Sequence, residues 1–135
     1  MKIEKYATNC HRKYYLKAHL IFVCNYRKKL LQNGIDVAIK SKFKSIANSS
    51  DFEIDVMETD QDHIHILVDY KPEISITSIV RKLKQESTFW IWKAYGNYLS
   101  KHFWKEHTFW SDGYFACSIG EASPETIRKY IENQG

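Results

Sequence analysis

The sequence HIHILVDY, residues His63–Tyr70, predicts a β-strand with two different faces. Strand side chains alternate between faces, so His63 and His65 share one side, and the isoleucines and valine between and after them share the other. That β-branched side already supplies a packing surface without polar help. Two imidazoles on the opposite side are half of a metal site, and other residues must complete it.

The segments before this strand predict a strand, a helix and a hairpin. A first strand over residues 18–26 is apolar on both faces. From Ile35 onward, apolar residues follow helical spacing, with lysines on the outer surface. Apolar and acidic residues alternate from Phe52 to Val56, and the polar link Thr59–Asp62 turns this second strand back into the histidine strand.

The segments after the strand complete the predicted fold. Ser75 can cap a second helix that ends near Gly96, and Tyr114–Ile119 is a fourth strand. A last helix, about residues 123–134, carries Tyr130. The order predicts an α+β fold, a ferredoxin-like split βαβ sandwich whose antiparallel sheet has helices on one face, plus a C-terminal tyrosine-bearing helix. The histidine face is then free to hold a site.

Length and composition indicate a single domain, residues 1–135, of ordinary apolar (44%) and charged (27%) content. No stretch approaches the roughly 20 apolar residues of a membrane span. We therefore expect a cytoplasmic protein with no membrane contact. No GxxxxGK[ST] motif occurs in the sequence, so we expect no nucleotide cofactor.

Basic and aromatic residues alternate in two segments of a chain whose formal net charge is +4. These segments are Asn25–Leu30 and Phe89–Trp110. Flat rings beside cations suit unpaired bases and their phosphates better than they suit a duplex groove. For any single ring, packing in the core is the simpler interpretation.

The C-terminal sequence ETIRKYIENQG places Tyr130 and Gln134 one helical turn apart, so their side chains share a face. Ile127 and Ile131 form the adjoining stripe that could dock this helix. Neither a surface tyrosine nor a surface glutamine indicates a function by itself.

Together these motifs resemble one family, the single-tyrosine HUH transposases of IS200/IS605 insertion sequences. DHIHILVDY is similar to the family's His-hydrophobic-His motif, and KYIENQ to its tyrosine-helix signature. The segments NYRKKL, SITSIVRKLKQES and FWSDGYFACSIG resemble the family in the same order. An isolated HxH motif also occurs in cupins and hydrolases, so its combination with Tyr-x-x-x-Gln carries the specificity.

This resemblance implies a DNA transposase that cleaves and rejoins single-stranded DNA at hairpin-marked element ends. It implies that His63, His65 and Gln134 hold a divalent cation, Mg²⁺ or Mn²⁺. It also implies that Tyr130 attacks a phosphodiester to give a 5′-phosphotyrosine and a free 3′-hydroxyl. Family members work as homodimers in which the tyrosine helix of one subunit can serve the histidine pair of the other.

The chemistry of these residue types agrees with that role. Neutral ligands leave the charge of a cation uncancelled, so it can polarise a phosphate and stabilise a leaving oxygen. A phenol, with an ordinary pKa of about 10, must be deprotonated or aimed before it attacks. Asp62, just before His63, could orient an imidazole or could simply be a turn residue.

Two other functions stay open. One is a non-catalytic ferredoxin-like binding module, either a domesticated DNA-hairpin binder or a metal-sensing dimer; the other is a related HUH nicking endonuclease of the replication-initiator or relaxase type. The remaining histidines, among them His19 and His107, have contexts that favour solvent-exposed or hydrogen-bonded roles. Candidates for DNA contact, for which a solvated side chain is an equally good interpretation, are Tyr26, Arg27, Lys28, Lys29, Arg81, Lys82 and Lys84.

Overall fold

The computed structural model describes residues 7–9, 12–14, 16–118 and 124–134. Two short strands near the N-terminus, β1 (Ala7–Asn9) and β2 (Arg12–Tyr14), pair as an antiparallel hairpin. The sequence did not indicate them, because this segment is charged and lacks an alternating apolar pattern. The elements that follow are β3 (Lys17–Val23), α1 (Ile35–Asn48), β4 (Phe52–Thr59), β5 (His63–Tyr70), α2 (Ile76–Leu99), β6 (Phe115–Ser118) and α3 (Pro124–Glu132).

The main sheet has four strands in the order β4-β5-β3-β6, and all neighbouring pairs are antiparallel. With α1 between β3 and β4, and α2 between β5 and β6, this is the predicted ferredoxin-like α+β arrangement with an added C-terminal helix. The fold prediction is confirmed. Among the described residues, none of the helices combines the length and the apolar character of a membrane-spanning segment.

One face of the sheet packs against α1 and α2. The buried stripe of α1 runs through Ile35, Ile39 and Phe43, as its helical spacing predicts. On β5, the residues that alternate with the histidines join the same core. Burying an aliphatic side chain of this size contributes about 1.5–3 kcal/mol, so this face supplies much of the stability of the fold. The β5 residues concerned are Ile64, Ile66 and Val68.

The helix α2 is longer than the sequence predicts. Its N-cap is Ser75, whose hydroxyl accepts a hydrogen bond from the Ser78 amide at 3.1 Å. The backbone at Tyr95 leaves the helical region (φ −130°, ψ 28°), yet the helix continues past Gly96 to Leu99. Leu99 is fully buried, and the burial of this side chain extends the helix beyond the glycine.

The strand β3 is shorter than predicted, because the chain leaves the sheet at Cys24. The 3₁₀ turn Asn25–Arg27 follows, held by a hydrogen bond from the Asn25 amide to the Phe109 carbonyl at 2.8 Å. Tyr26 and Arg27 have φ values of 59° and 52°, a left-handed region that residues other than glycine rarely adopt. The backbone is not extended at these two residues, so the strand cannot continue through them.

The second face of the sheet carries the histidines. Directly paired residues share a face, and the register pairs Val23 with His63 and Ile21 with His65. Ile21 and Val23 are fully buried, so this face is covered beside the histidines and is less open than the sequence suggests. The helix α3 contributes to this cover: the ring of Tyr130 lies 5.7 Å from that of Phe115, the β6 partner of Ile21. The side chain of Ile127, predicted to dock α3, lies outside the described residues.

Candidate active site

His63 is oriented by the residue before it. Its Nδ1 lies 2.8 Å from the Oδ1 of Asp62, and the Asp62 carbonyl accepts a hydrogen bond from the Cys24 amide at 2.8 Å. A carboxylate beside Nδ1 favours the proton on that nitrogen, which leaves the Nε2 lone pair available to a metal ion. Of the two roles left open for Asp62, the structure supports that of an orienting carboxylate.

His65 makes a contact that the sequence did not indicate. Its Nε2 lies 2.7 Å from the Nδ1 of His19, and the two rings stack with centroids 4.9 Å apart. His19 lies diagonally across the β3–β5 pair, because the direct partner of His65 is Ile21. The sequence shows that His19 and Ile21 lie on the same face of β3, because they are two residues apart. The contact between His19 and His65 depends in addition on how β3 and β5 are aligned.

The electrostatic surroundings of His65 favour its neutral ring. Burial, together with the neighbouring His19 and His63, lowers the pKa of His65, while the carboxylate of Glu58 opposes this shift. The Glu58 Oε1 lies 3.9 Å from the His65 Nδ1, and most of the glutamate side chain is exposed. A neutral imidazole is the form that binds a metal ion, so the protonation state of His65 suits a ligand. Its Nε2 must leave His19 before that nitrogen can bind a metal ion.

Tyr130 has a buried phenolic oxygen without a hydrogen-bond partner among the described residues. Burial raises the pKa of Tyr130 to about 12. A Cβ atom at Gly113 would lie 3.5 Å from this oxygen, so the backbone at residue 113 passes close to the phenol. A buried polar oxygen without a partner is costly, and a bound group at this position would relieve that cost.

Gln134 follows α3 and turns toward the same backbone segment. Its Oε1 accepts a hydrogen bond from the hydroxyl of Ser111 at 3.2 Å and lies 3.8 Å from the Cβ position of Gly113. We call Ser111–Gly113 the site loop, because it contacts both Tyr130 and Gln134. The sequence marked this stretch only as part of the segment FWSDGYFACSIG that resembles the family, and its contacts with Tyr130 and Gln134 were not predicted.

Lys84 holds the site loop from the side of α2. Its Nζ donates to the backbone carbonyl oxygens of Ser111 and Gly113, each at 2.7 Å, and to that of Asp112 at 3.3 Å. Burial lowers the pKa of Lys84 to about 8, and the charge of Asp112 partly opposes this. The structure therefore places this DNA-contact candidate behind the loop that faces Tyr130.

Arg27 links the histidine strand to the tyrosine helix. Its Nε lies 3.4 Å from the Oδ2 of Asp62, and its Nη1 lies 3.4 Å from the carbonyl oxygen of Glu132. Carbonyl groups in the last turn of a helix lack partners within the helix, and a cation is favourable there. Through Asp62 and Arg27, His63 and the end of α3 belong to one connected corner of the molecule.

The other DNA-contact candidates form two groups. One surrounds the 3₁₀ turn, where Tyr26 is 58% exposed and its hydroxyl lies 3.2 Å from both carboxylate oxygens of Glu106. The other is on α2, where the Nζ of Lys82 lies 4.0 Å from the carboxylate of Glu86. The first group comprises Tyr26, Arg27, Lys28 and Lys29, and the second Arg81 and Lys82.

The fold and this corner define a class of protein: a ferredoxin-like α+β sheet with a His-x-His strand and a C-terminal helix that packs a tyrosine against the same face. The family model described as IS200-like transposase matches residues 12–134. The chain belongs to this family of transposases, which act in the transposition of insertion sequences. The resemblance drawn from the motifs is confirmed.

Similar proteins agree with this assignment. The chain is 31% identical to the ISDra2 transposase TnpA of Deinococcus radiodurans over 121 residues, covering 90% of this chain and 85% of the relative. It is 26% identical to the transposase for insertion sequence element IS200 of Salmonella typhimurium over 124 residues, covering 92% of this chain and 80% of the relative.

Solved structures show the same fold. A crystal structure from Deinococcus radiodurans R1, described as a transposase, matches with a TM-score of 0.87 and 26% identity over 95% of this chain and 97% of that one. A REP-associated tyrosine transposase bound to a REP hairpin matches with a TM-score of 0.56 and 16% identity, covering 93% of this chain and 69% of that one. At this identity the second likeness concerns the fold alone.

Proposed function

We propose that this transposase cleaves and rejoins single-stranded DNA through a covalent bond between Tyr130 and a 5′-phosphate. The observation that carries the proposal is the buried phenolic oxygen of Tyr130, which lacks a partner among the described residues. It lies beside the loop that binds Gln134, and its ring packs on the sheet face that carries His63 and His65. A scissile phosphate placed there would give this oxygen a reaction partner.

In the proposed step the phenolic oxygen loses its proton and forms a bond to phosphorus. The bond from phosphorus to the 3′ oxygen breaks, and that oxygen takes up a proton to become a free hydroxyl. One phosphoester bond replaces another, so no energy from ATP is needed. The 3′-hydroxyl of another DNA strand can later attack the phosphotyrosine, which joins the two strands and releases Tyr130. Because the pKa of Tyr130 is raised to about 12, the phenol must be aimed and its anion stabilised when DNA is bound.

We propose that His63, His65 and Gln134 hold a divalent cation, Mg²⁺ or Mn²⁺. Asp62 leaves the Nε2 of His63 available, the lowered pKa of His65 keeps its ring neutral, and Gln134 offers an uncharged oxygen. When bound, the cation supplies charge that polarises the phosphate and stabilises the leaving oxygen. Within the described part of the chain, no three His, Cys, Asp or Glu side chains form a group that could hold a metal ion. The proposed set therefore depends on the amide oxygen of Gln134 as its third ligand.

The proposed substrate is single-stranded DNA marked by a hairpin. Its support is the family assignment, the REP hairpin bound by the related fold, and the basic and aromatic side chains around the 3₁₀ turn and on α2. We further propose a homodimer in which α3 of one subunit can serve the histidine strand of the other. Mixing Tyr130→Phe and His63→Ala proteins tests this: recovered cleavage supports shared sites, and an inactive mixture supports sites within one subunit.

The central experiment is a search for the covalent product. The protein is incubated with hairpin-bearing single-stranded DNA and Mg²⁺ or Mn²⁺, then denatured and separated by gel electrophoresis. We expect a protein–DNA adduct that survives denaturant and depends on the metal ion. Tight DNA binding without an adduct would instead support the non-catalytic hairpin-binding module, and an adduct through another tyrosine would support a different HUH nuclease.

A further inference from the structure

We infer that Lys84 is a positioning residue for the proposed reaction, because its ammonium group fixes the site loop against which Tyr130 and Gln134 rest. This inference rests on the proposed function of Tyr130. From the sequence alone, Lys84 was a candidate for contact with DNA phosphates. In the structure its ammonium group instead contacts the backbone carbonyl oxygens of the site loop.

The donor count supports an internal role. A lysine ammonium group has three N–H donors, and three carbonyl oxygens of the site loop, those of Ser111, Asp112 and Gly113, lie at 2.7, 3.3 and 2.7 Å. Hydrogen bonds from a charged donor are stronger than neutral ones. An ammonium group engaged in this way is not available to a DNA phosphate without releasing the loop.

Two aromatic rings also lie near the ammonium group of Lys84. Its Nζ lies 5.5 Å from the ring centroid of Phe22 and 5.9 Å from that of Tyr114. A cation near aromatic rings is attracted to their faces, and the attraction increases when water is excluded. The burial that lowers the pKa of Lys84 to about 8 comes from the same packing.

The site loop connects Lys84 to the candidate site. Its other anchor is the hydrogen bond from the Ser111 amide to the Val23 carbonyl at 2.7 Å, which ties it to the sheet. Between these anchors, the Ser111 hydroxyl binds the Gln134 amide oxygen, and Gly113 lies beside the phenol of Tyr130. Releasing Lys84 should let the loop shift and misplace both side chains.

Lys82 is a matched control on the same helix. It lies two residues before Lys84, its side chain is partly exposed, and its Nζ is 4.0 Å from the carboxylate of Glu86. Exposed pairs of this kind contribute little to stability. Lys82→Met and Lys84→Met therefore remove the same charge from one helix, but only the second removes the contact with the site loop.

The first measurement needs no DNA. Nuclear magnetic resonance of the free protein should show shifted signals for the Gln134 side-chain amide and the Tyr130 ring in Lys84→Met, and unchanged signals in Lys82→Met. Lys84→Gln, which keeps two N–H donors, should give smaller shifts and guards against a loss of folding in the methionine variant. If both Lys84 variants fold and leave these signals unchanged, the inference is overturned.

The second measurement separates positioning from DNA binding. Under single turnover at saturating DNA, Lys84→Met should form the adduct at least tenfold more slowly, with the Kd for DNA and its salt dependence unchanged. Lys82→Met should instead weaken binding and lower the salt slope by about one, which is the pattern expected for a phosphate contact. The reverse pattern, with a weaker Kd and a lower salt slope for Lys84→Met, would make Lys84 a phosphate contact.

The two proposals can fail separately. If the wild-type protein forms no adduct but the Gln134 and Tyr130 signals respond only to the Lys84 variants, Lys84 does fix the site loop and the proposed reaction is wrong. If the adduct forms at the wild-type rate in Lys84→Met, the reaction stands and the inference about Lys84 is wrong.

Discussion

The histidine strand and the tyrosine helix occupy one corner of the molecule but are held by different kinds of contact. The strand β5 pairs along its length with β3 on one side and β4 on the other, so the positions of His63 and His65 follow from backbone hydrogen bonds. The helix α3 is placed by side-chain contacts, among them Tyr130 with Phe115, Gln134 with Ser111, and Arg27 with the end of the helix.

This difference has a mechanical consequence. An inner strand of a sheet opens only when many backbone hydrogen bonds break together, whereas an element held by a few side chains opens at a lower free energy. The histidine half of the site is therefore the rigid half, and the tyrosine half can be adjusted or moved. Such a division would suit the proposed reaction, in which Tyr130 becomes bound to DNA and the histidines bind the metal ion.

The largest expected effect tests whether the tyrosine half supplies the nucleophile. Tyr130→Phe removes the phenolic oxygen and keeps the ring that packs on Phe115, so we expect the adduct to fall below detection while the Kd for DNA stays within about twofold. Denaturing gels and a binding titration measure the two quantities. Tyr95→Phe, a control on α2, should form the adduct normally; an adduct that persists in Tyr130→Phe would place the nucleophile elsewhere.

The next effect tests whether the rigid half binds the metal ion. His65→Ala should lower Mn²⁺ affinity by about two orders of magnitude or more, because a ligand is lost, and cleavage should fall with it. Titration calorimetry without DNA measures the affinity. His107→Ala, which changes a ring stacked on Trp92 at 4.2 Å, is the control and should bind Mn²⁺ normally. Equal affinity in His65→Ala would remove the histidine strand from the metal site.

A smaller effect tests the carboxylate that joins the two halves. Asp62→Asn weakens the acceptor for the His63 Nδ1 proton and for Arg27, so we expect Mn²⁺ affinity to fall by about 10–100-fold. Asp60→Asn is the matched control, because Asp60 is an exposed carboxylate in the same turn. If the two variants bind Mn²⁺ equally well, Asp62 is only a turn residue.

The smallest effect measures the burial of Tyr130 through stability. Its pKa of about 12 in the folded protein lies above the ordinary value of about 10. Between about pH 10 and about pH 12, the unfolded chain has released the phenolic proton and the folded protein still keeps it. The free energy of unfolding therefore falls as the pH rises through this range. Because Tyr130 is partly exposed, this loss should be below about 2 kcal/mol.

Urea unfolding at pH 9 and pH 11 can detect this loss when wild type is compared with Tyr130→Phe. All other titrating groups are common to both proteins, so the stability of wild type relative to the variant should decrease at the higher pH. An identical pH dependence in the two proteins would mean that the phenol is as exposed in the folded state as in the unfolded chain.

Much of the fold could be predicted because its elements have strong apolar periods. The β5 boundaries His63–Tyr70 and the start of α1 at Ile35 agree with the sequence interpretation, since the alternating and helical patterns are uninterrupted there. Predictions were wrong where tertiary packing overrode a local signal. The helix α2 passes Gly96 because Leu99 is buried, and β3 ends at Val23 because a 3₁₀ turn follows.

The site was predictable only in part. His63, His65, Tyr130 and Gln134 were candidates from motif spacing and family resemblance, and their roles stay predictions. His19 was not a candidate, because its contact with His65 is a diagonal one that requires the register of two strands. The loop contact of Lys84 joins groups 27 residues apart in sequence, a distance at which spacing carries no information.

The amino-acid sequence by itself determined the order of the helices and the main-sheet strands, the two faces of the histidine strand and the helical turn that joins Tyr130 to Gln134, since these depend on the periods of strands and helices. Only the tertiary structure decided which groups contact them: His19 on His65, Arg27 between Asp62 and α3, and Lys84 behind the site loop. The physical reason is that a local period fixes the direction of a side chain, whereas its partners are set by how distant segments pack.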